Sequence, residues 1–332
     1  MTGGAAPPRP VILDCDPGID DAMAIAFGCG HPALELRGVT TVAGNVSLEL
    51  TTANALAVLD FAGRGDIPVV AGSPAPLLRP VSDAARVHGE SGLGGARLPP
   101  ARQPARAGHA ADYLIEAIGA APGEITLVAT GPLTNIALAV RREPRIISQV
   151  ADFVIMGGSA GRGNVTPAAE FNIFWDPEAA AIVFGSGWRV TMAGLDVTLQ
   201  ALATAEIRER MAGLGRLGSE LLLPGLGGYQ PPVGQAAGNL AAESLAAGDP
   251  PVHDICALAL VAEPELFGLR PARVEVETAG RWTAGMTVTD FAAAEPNALV
   301  AESVDAAGFW DLVLAAYARL PAARPADSTT GR

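Results

Sequence analysis

The stretch DCDPGIDDAM, Asp14 to Met23, places four aspartates within eight residues, directly after the apolar run Val11-Ile12-Leu13. Like charges so close repel one another, so the segment is either a solvated acidic turn or an oxygen-rich site for a hard cation. An acidic N-cap accounts for a single carboxylate, because a helix start offers free N–H groups and the positive end of its dipole. It does not account for Asp14, Asp16, Asp20 and Asp21 together, whereas a divalent cation converts their repulsion into ligation. Ca2+ takes roughly six to eight oxygens, so this loop needs help from elsewhere in the chain. The best source is Asp254, which with His253 opens the apolar helical run ICALALVA. The D-x-D-P-G-x-D-D spacing is not that of an EF-hand, which ends in a bidentate Glu.

These residues need elements to position them. Short β-rich runs at Val11-Cys15, Leu36-Val42, Pro68-Ala71, Ile125-Ala129, Phe153-Met156 and Arg189-Ala193 alternate with stretches of helical period at Leu48-Phe61, Ala110-Ala120 and Pro177-Phe184. The alternation predicts an α/β fold, an open and mostly parallel sheet with helices on both faces, in a single domain. Ligand sites in such sheets lie beyond the carboxyl ends of the strands. Four polar clusters fall there: DCDPGIDD, AGN (Ala43 to Asn45), TGPLTN (Thr130 to Asn135) and MGGSAGRGN (Met156 to Asn164). Further strands are expected between residues 273 and 303, and a last helix over Asp305-Leu320. Residues 211–248, rich in Gly, Leu and Ala, suggest a lid. Residues 1–10 and 321–332 read as flexible tails flanking a domain at 11–320.

The composition excludes several functions. The chain has 332 residues, 49% hydrophobic, with a net charge of -13, which disfavours nucleic acid or an anionic membrane as partner. All 22 basic residues are arginines, so Schiff-base chemistry and a P-loop lysine are ruled out. Cys15, Cys29 and Cys256 form neither a disulfide framework nor a zinc spacing. With no secretory signal pattern and no run long enough to span a membrane, a cytoplasmic protein with a small-molecule partner is expected.

Taken in order, DCDPGIDDAMAI, TTVAGN, VHGESG, LVATGPLTNIA, MGGSAGRGN, AEFNIFWDPEAA and VHDICA resemble the inosine-uridine-preferring nucleoside hydrolases over nearly the whole chain. That resemblance implies an open α/β fold and hydrolysis of the N-glycosidic bond of ribonucleosides, with a tightly held Ca2+ and assembly into dimers or tetramers. Carried over by position, Asp16 resembles the general base that also touches the metal. Asp21, the carbonyl of Thr130 and Asp254 resemble the other protein ligands. Asp20 and Asn172 would hold the ribose 2'-hydroxyl, with Asn45, Asn164 and Glu170 near the remaining hydroxyls and Met156 lining the sugar pocket. Asp14 looks like a supporting carboxylate behind the ligands.

The chemistry fits these residue types. Glycosidic cleavage passes through an oxocarbenium-like sugar, which calls for a water nucleophile, a base, negative potential and help for the leaving group. Bound Ca2+ would orient the water for Asp16 to deprotonate. His253 suits the leaving-group acid, since its side chain titrates near neutrality. A tryptophan stands in its place in purine-specific members, so His253, with His88 as another base-pocket residue, points to a pyrimidine-tolerant or nonspecific enzyme. LLLPGLGGYQPPVGQAAGN, rich in glycine and proline, offers Tyr229 and Gln230 for reaching a base, Tyr229 by stacking. Two rival readings remain open. One is a Ca2+-dependent ribose or nucleoside binder without turnover. The other is a haloacid-dehalogenase-like phosphohydrolase using Asp14 and Asp16, disfavoured by a rim whose only basic residue is Arg162.

Overall fold

The protein is described from a computed structural model, which covers residues 7–81, 85–229 and 248–323. Strands β1 (Arg9–Cys15), β2 (Leu34–Thr41), β3 (Val69–Ala71), β4 (Thr126–Ala129), β5 (Asp152–Met156), β6 (Val190–Ala193), β7 (Phe267–Val276), β8 (Thr287–Asp290) and β9 (Ala298–Val304) form one sheet in the order 3-2-1-4-5-6-9-7-8. The first six strands and β9 run parallel. Strand β7 is antiparallel to β9, and β8 to β7, so the β7–β8 hairpin makes an antiparallel edge that the sequence pattern did not distinguish.

Strand periodicity explains the two-sided burial. Val11, Leu13 and Cys15 pack into one apolar cluster with the helices Ile19–Gly30, Ile255–Ala262 and Ala306–Tyr317. Ile12, pointing to the other face, joins a second cluster with Ala110–Ala120, Thr134–Arg142 and Pro177–Phe184. Strands covered on both faces read as unbroken apolar runs, as β1, β4 and β5 do. The expected helices Leu48–Phe61, Ala110–Ala120 and Pro177–Phe184 form as read. The last helix is Ala306–Tyr317, with Asp305 as its N-cap, its side chain accepting from the Gly308 amide. Arg9 and Pro10, expected in the tail, are the first residues of β1.

Strand order reverses between β1 and β4, the topological switch point at which α/β sheets open a crevice. Asp16 follows β1 and Thr130 follows β4, so both stand at that crevice. The helix Ile255–Ala262 buries all of its residues, which fixes Asp254, its N-cap residue, at the same rim. The expected lid at 211–248 is described only in part. It begins with the helical turns Leu217–Leu222 and Leu223–Gly227; Gln230 lies outside the described residues.

Candidate active site

The four aspartates of the opening motif have separate surroundings. Asp14 lies inside the sheet end, where its Oδ1 accepts from Thr40 Oγ1 at 2.5 Å and Asn135 Nδ2 at 2.8 Å. Burial lifts its pKa to about 7 against those two hydrogen bonds. A carboxylate enclosed in this way braces β1, β2 and the helix after β4; it is not the exposed nucleophile that a phosphohydrolase would require.

Asp16 is fully buried at the end of β1. Its Oδ2 accepts the Asn45 amide at 2.7 Å, while Oδ1 is buried with no hydrogen-bond partner among the described residues. Burial first, then the charge of Asp21, drives its pKa well up. Two loops close on this carboxylate. A Cβ on Gly44 would sit 2.1 Å from Oδ2, and one on Gly131 2.7 Å from Oδ1. Only glycine lets the AGN and TGP loops approach so closely.

Asp21 closes the helix Ile19–Gly30 from inside: its Oδ2 accepts the Gly18 amide at 3.0 Å and Asn45 Nδ2 at 3.2 Å, and its Oδ1 accepts Thr130 Oγ1 at 2.9 Å. Burial and the neighbouring Asp20 lift it to about 7. Asp254 is also driven well up, by burial and then by Asp20 and Asp21. Carboxylate oxygens of Asp20, Asp21 and Asp254 lie within 4.8 Å of one another. No basic side chain bonds to any of them among the described residues, so the cluster has the charge and the oxygen chemistry for a divalent cation. The grouping differs from the expected ligand set in one member: Asp20, assigned to the sugar, stands among the three, and Asp16 lies beside them.

The Thr130 carbonyl, expected as a ligand, accepts Asn172 Nδ2 at 2.8 Å. The same amide reaches the Met156 carbonyl at 3.1 Å, so Asn172, the β4 rim and the β5 rim form one unit. Glu170 caps the helix Phe171–Trp175. Its oxygens accept the Asn172 amide at 2.9 Å, the Gly158 amide at 2.9 Å and the Ile173 amide at 3.2 Å. Burial still lifts it to about 7. Asn164, less buried, caps the Phe171 amide through Oδ1 at 2.9 Å. The structure thus gives Glu170 and Asn164 loop-holding bonds that the sequence did not foretell.

Two histidines adjoin the acidic segments, His88 at Ile19 beside Asp20 and His253 directly before Asp254. His88 Nδ1 accepts the Ile19 amide at 3.2 Å, and His253 Nδ1 shares a 2.8 Å hydrogen bond with Thr198 Oγ1. Burial lowers the pKa of both, against the charge of Asp20. Tyr229, half-buried, feels burial and the same Asp20 charge, which raise its hydroxyl pKa. The charge of Asp20 thus acts both on Asp16, Asp21 and Asp254 and on His88, His253 and Tyr229.

Several positioning residues escaped the sequence reading. Asn135 joins three loops, donating to Asp14 and to the Thr41 carbonyl at 3.0 Å and accepting the Ser73 amide at 2.9 Å. Asn54 ties the carbonyls of Pro17 and Ser91 at 3.1 and 2.8 Å, holding the DPG turn to the loop after His88. Asp176 gathers Thr134, Leu77 and Ala179. Asn135 lies inside TGPLTN and Asp176 inside AEFNIFWDPEAA, so their motifs carried a signal. Thr40 likewise opens TTVAGN, whereas Asn54 and Thr198 carried none.

Comparison with known proteins agrees with this geometry. A model of the family described as inosine-uridine preferring nucleoside hydrolase matches residues 11–311. The chain belongs to this family. It is 44% identical to an inosine-uridine preferring nucleoside hydrolase of Leishmania major, over 94% of this chain and 98% of that one. It is 48% identical to the non-specific ribonucleoside hydrolase RihC of Klebsiella pneumoniae (strain 342), over 90% and 95%. Among solved structures, a purine-preferring ribonucleoside hydrolase from Gardnerella vaginalis superposes with a TM-score of 0.84 at 32% identity, covering 93% of this chain and 98% of that one. The open α/β sheet of the nucleoside hydrolases is thus the fold found here.

Proposed function

We propose that this family member hydrolyses the N-glycosidic bond of ribonucleosides to ribose and free base, with pyrimidine nucleosides among its substrates. The observation that carries the reading is a group of carboxylates, Asp20, Asp21 and Asp254, gathered within 4.8 Å at the sheet's switch point without a basic partner among the described residues. The names of the relatives support the reaction class, and the 48% identity to a non-specific enzyme supports a broad base range.

Asp21, Asp254, Asp20, Asp16 and the Thr130 carbonyl would hold a divalent cation, which we take to be Ca2+. When bound, such an ion lowers the pKa of water and grips vicinal hydroxyls. Asp16 accepts the proton of the attacking water at Oδ1, its free oxygen, while the Asn45 amide fixes Oδ2. The remaining carboxylates supply negative potential near the anomeric carbon, where positive charge develops. Asp20 and Asn172 take the ribose 2'-hydroxyl. Asn45 and Asn164 stand near the other hydroxyls, and Glu170 fixes the backbone from Gly158 to Ile173 that shapes this wall. Met156 lines the sugar pocket. His88 and Tyr229 meet the base, and His253 serves its departure as the leaving-group acid. Asp14 braces the acidic loop from behind.

No described helix is long and apolar enough to cross a membrane. The three free cysteines fit a reducing, cytoplasmic interior, and we take the assembly to be a dimer or tetramer. The testing experiment is an assay of ribose and free-base release from a panel of purine and pyrimidine ribonucleosides. Release of both products in equal amounts is expected; binding without release would favour a nucleoside-binding protein instead.

A further inference from the structure

The hydrogen bonds at the two imidazoles fix more than their orientation. A backbone N–H can only donate, so the 3.2 Å bond from the Ile19 amide makes His88 Nδ1 an acceptor. A ring accepting at Nδ1 is neutral and carries its hydrogen on Nε2. For His253 the partner is a hydroxyl, which can donate or accept. Thr198, fully buried, has no other hydroxyl partner among the described residues, so His253 Nδ1 is the acceptor available for its proton. Neither Nε2 has a hydrogen-bond partner among the described residues, and neither is among the side-chain atoms that are both buried and unpaired. Both are thus unspent donors.

We infer that Thr198 is a positioning residue, which together with the Ile19 amide sets His253 and His88 as Nε2–H tautomers, so that the base pocket presents two fixed hydrogen-bond donors. Such a pocket selects bases by their acceptors: an exocyclic carbonyl oxygen or an unprotonated ring nitrogen. In place of the full proton transfer of a leaving-group acid, His253 stabilises the departing base by donating this hydrogen bond; the base leaves as the anion and takes its proton from water. A neutral imidazole held in one tautomer is a known way of stabilising developing negative charge. Thr198 reaches the site because it ends the short helix Leu195–Thr198, which follows directly on β6. Asp196 in the same turn holds the Ala160 amide at 2.7 Å, so one turn anchors both the MGGSAG loop and the ring.

This inference rests on the assignment of His253 to the leaving base, and its test separates the two. The chain has only four histidines, so selective 15N-histidine labelling gives a readable NMR spectrum of ring tautomers. In the wild type, His88 and His253 should both show the Nε2–H pattern near neutral pH. Thr198→Val should scramble the His253 pattern and leave that of His88 intact, and Thr198→Ser should restore it. In parallel, Thr198→Val should lower kcat for uridine by about tenfold, the scale of one lost hydrogen bond, and change p-nitrophenyl riboside far less, with Ser rescuing uridine. An Nδ1–H pattern for His253 in the wild type, or equal losses on both substrates in Thr198→Val, overturns the role of Thr198. If His253→Ala itself slows both substrates equally, the assignment of His253 to the leaving base is what fails.

Discussion

The acidic wall and the base side of the crevice are built by different means. The wall hangs on strand ends and on hydrogen bonds that span the sheet. Asp14 is held from β2 and from the helix after β4, Asp21 by Gly18, Asn45 and Thr130, and Asp16 by Asn45 with two glycine loops pressed against it. Among the described residues the proposed base side has fewer ties: one hydrogen bond at each histidine Nδ1, and Tyr229 at the end of a glycine-rich turn. In the proposed reading the wall meets the sugar and cation common to every substrate, and the histidine side meets the base that varies. Damage to the wall should therefore slow all nucleosides alike, and damage to the base side should change their ranking.

The largest effect is expected from Asp16→Asn, which keeps the shape and removes the base. Turnover should fall on the order of a thousandfold on every nucleoside, with the melting temperature not lowered, since a buried acid becomes a neutral amide. Steady-state kinetics on three or more nucleosides checks this; losses differing widely between substrates would erase the distinction between wall and rim.

Gly44→Ala tests the wall without touching a charge. Its Cβ would fall 2.1 Å from Asp16 Oδ2, so the carboxylate or the loop must move. A displacement of about 1 Å in a catalytic group costs on the order of a hundredfold in kcat, again independent of the base. Activity close to wild type would mean that the carboxylate tolerates displacement.

The wall also carries a pH signature. Asp14 and Asp21 are lifted from 3.8 to about 7, chiefly by burial. Carboxyls whose folded pKa is raised contribute stability that is complete below the unfolded pKa and is lost as pH rises through the folded one. The melting temperature of metal-free protein should therefore fall as pH rises from roughly 4 towards the lifted value, and Ca2+ should flatten that slope by binding the ionised form. Thermal melts with and without chelator decide it, and a flat metal-free profile would mean that these acids are not buried against charge.

The smallest change is expected from Tyr229→Phe, which keeps the ring and loses the hydroxyl. A shift of a few-fold in relative kcat/KM between purine and pyrimidine nucleosides, with kcat on p-nitrophenyl riboside steady, is the outcome expected of a base-side residue. An equal loss on all substrates would move Tyr229 to the wall side.

The same contrast governs what the sequence could reveal. The wall was legible because strand-end loops keep their polar residues in short motifs: DCDPGIDD, AGN and TGPLTN each hold residues that the structure brings together. Three helices were legible to the residue, since their apolar periodicity continues to each end. The antiparallel β7–β8 edge was not, because alternation in a half-exposed strand carries no direction. Nor were Thr198 and Asn54, polar residues on helices that meet their partners 55 and 37 positions away. The entry of Asp20 into the carboxylate cluster depends on side-chain directions within one helical turn, which spacing alone does not determine.

The most direct test is ribose release from uridine by chelator-stripped protein, before and after Ca2+ is returned. Loss of release on stripping, recovered by Ca2+ together with a higher melting temperature, is the result expected of a carboxylate wall built around a cation. Undiminished release from fully stripped protein would contradict it.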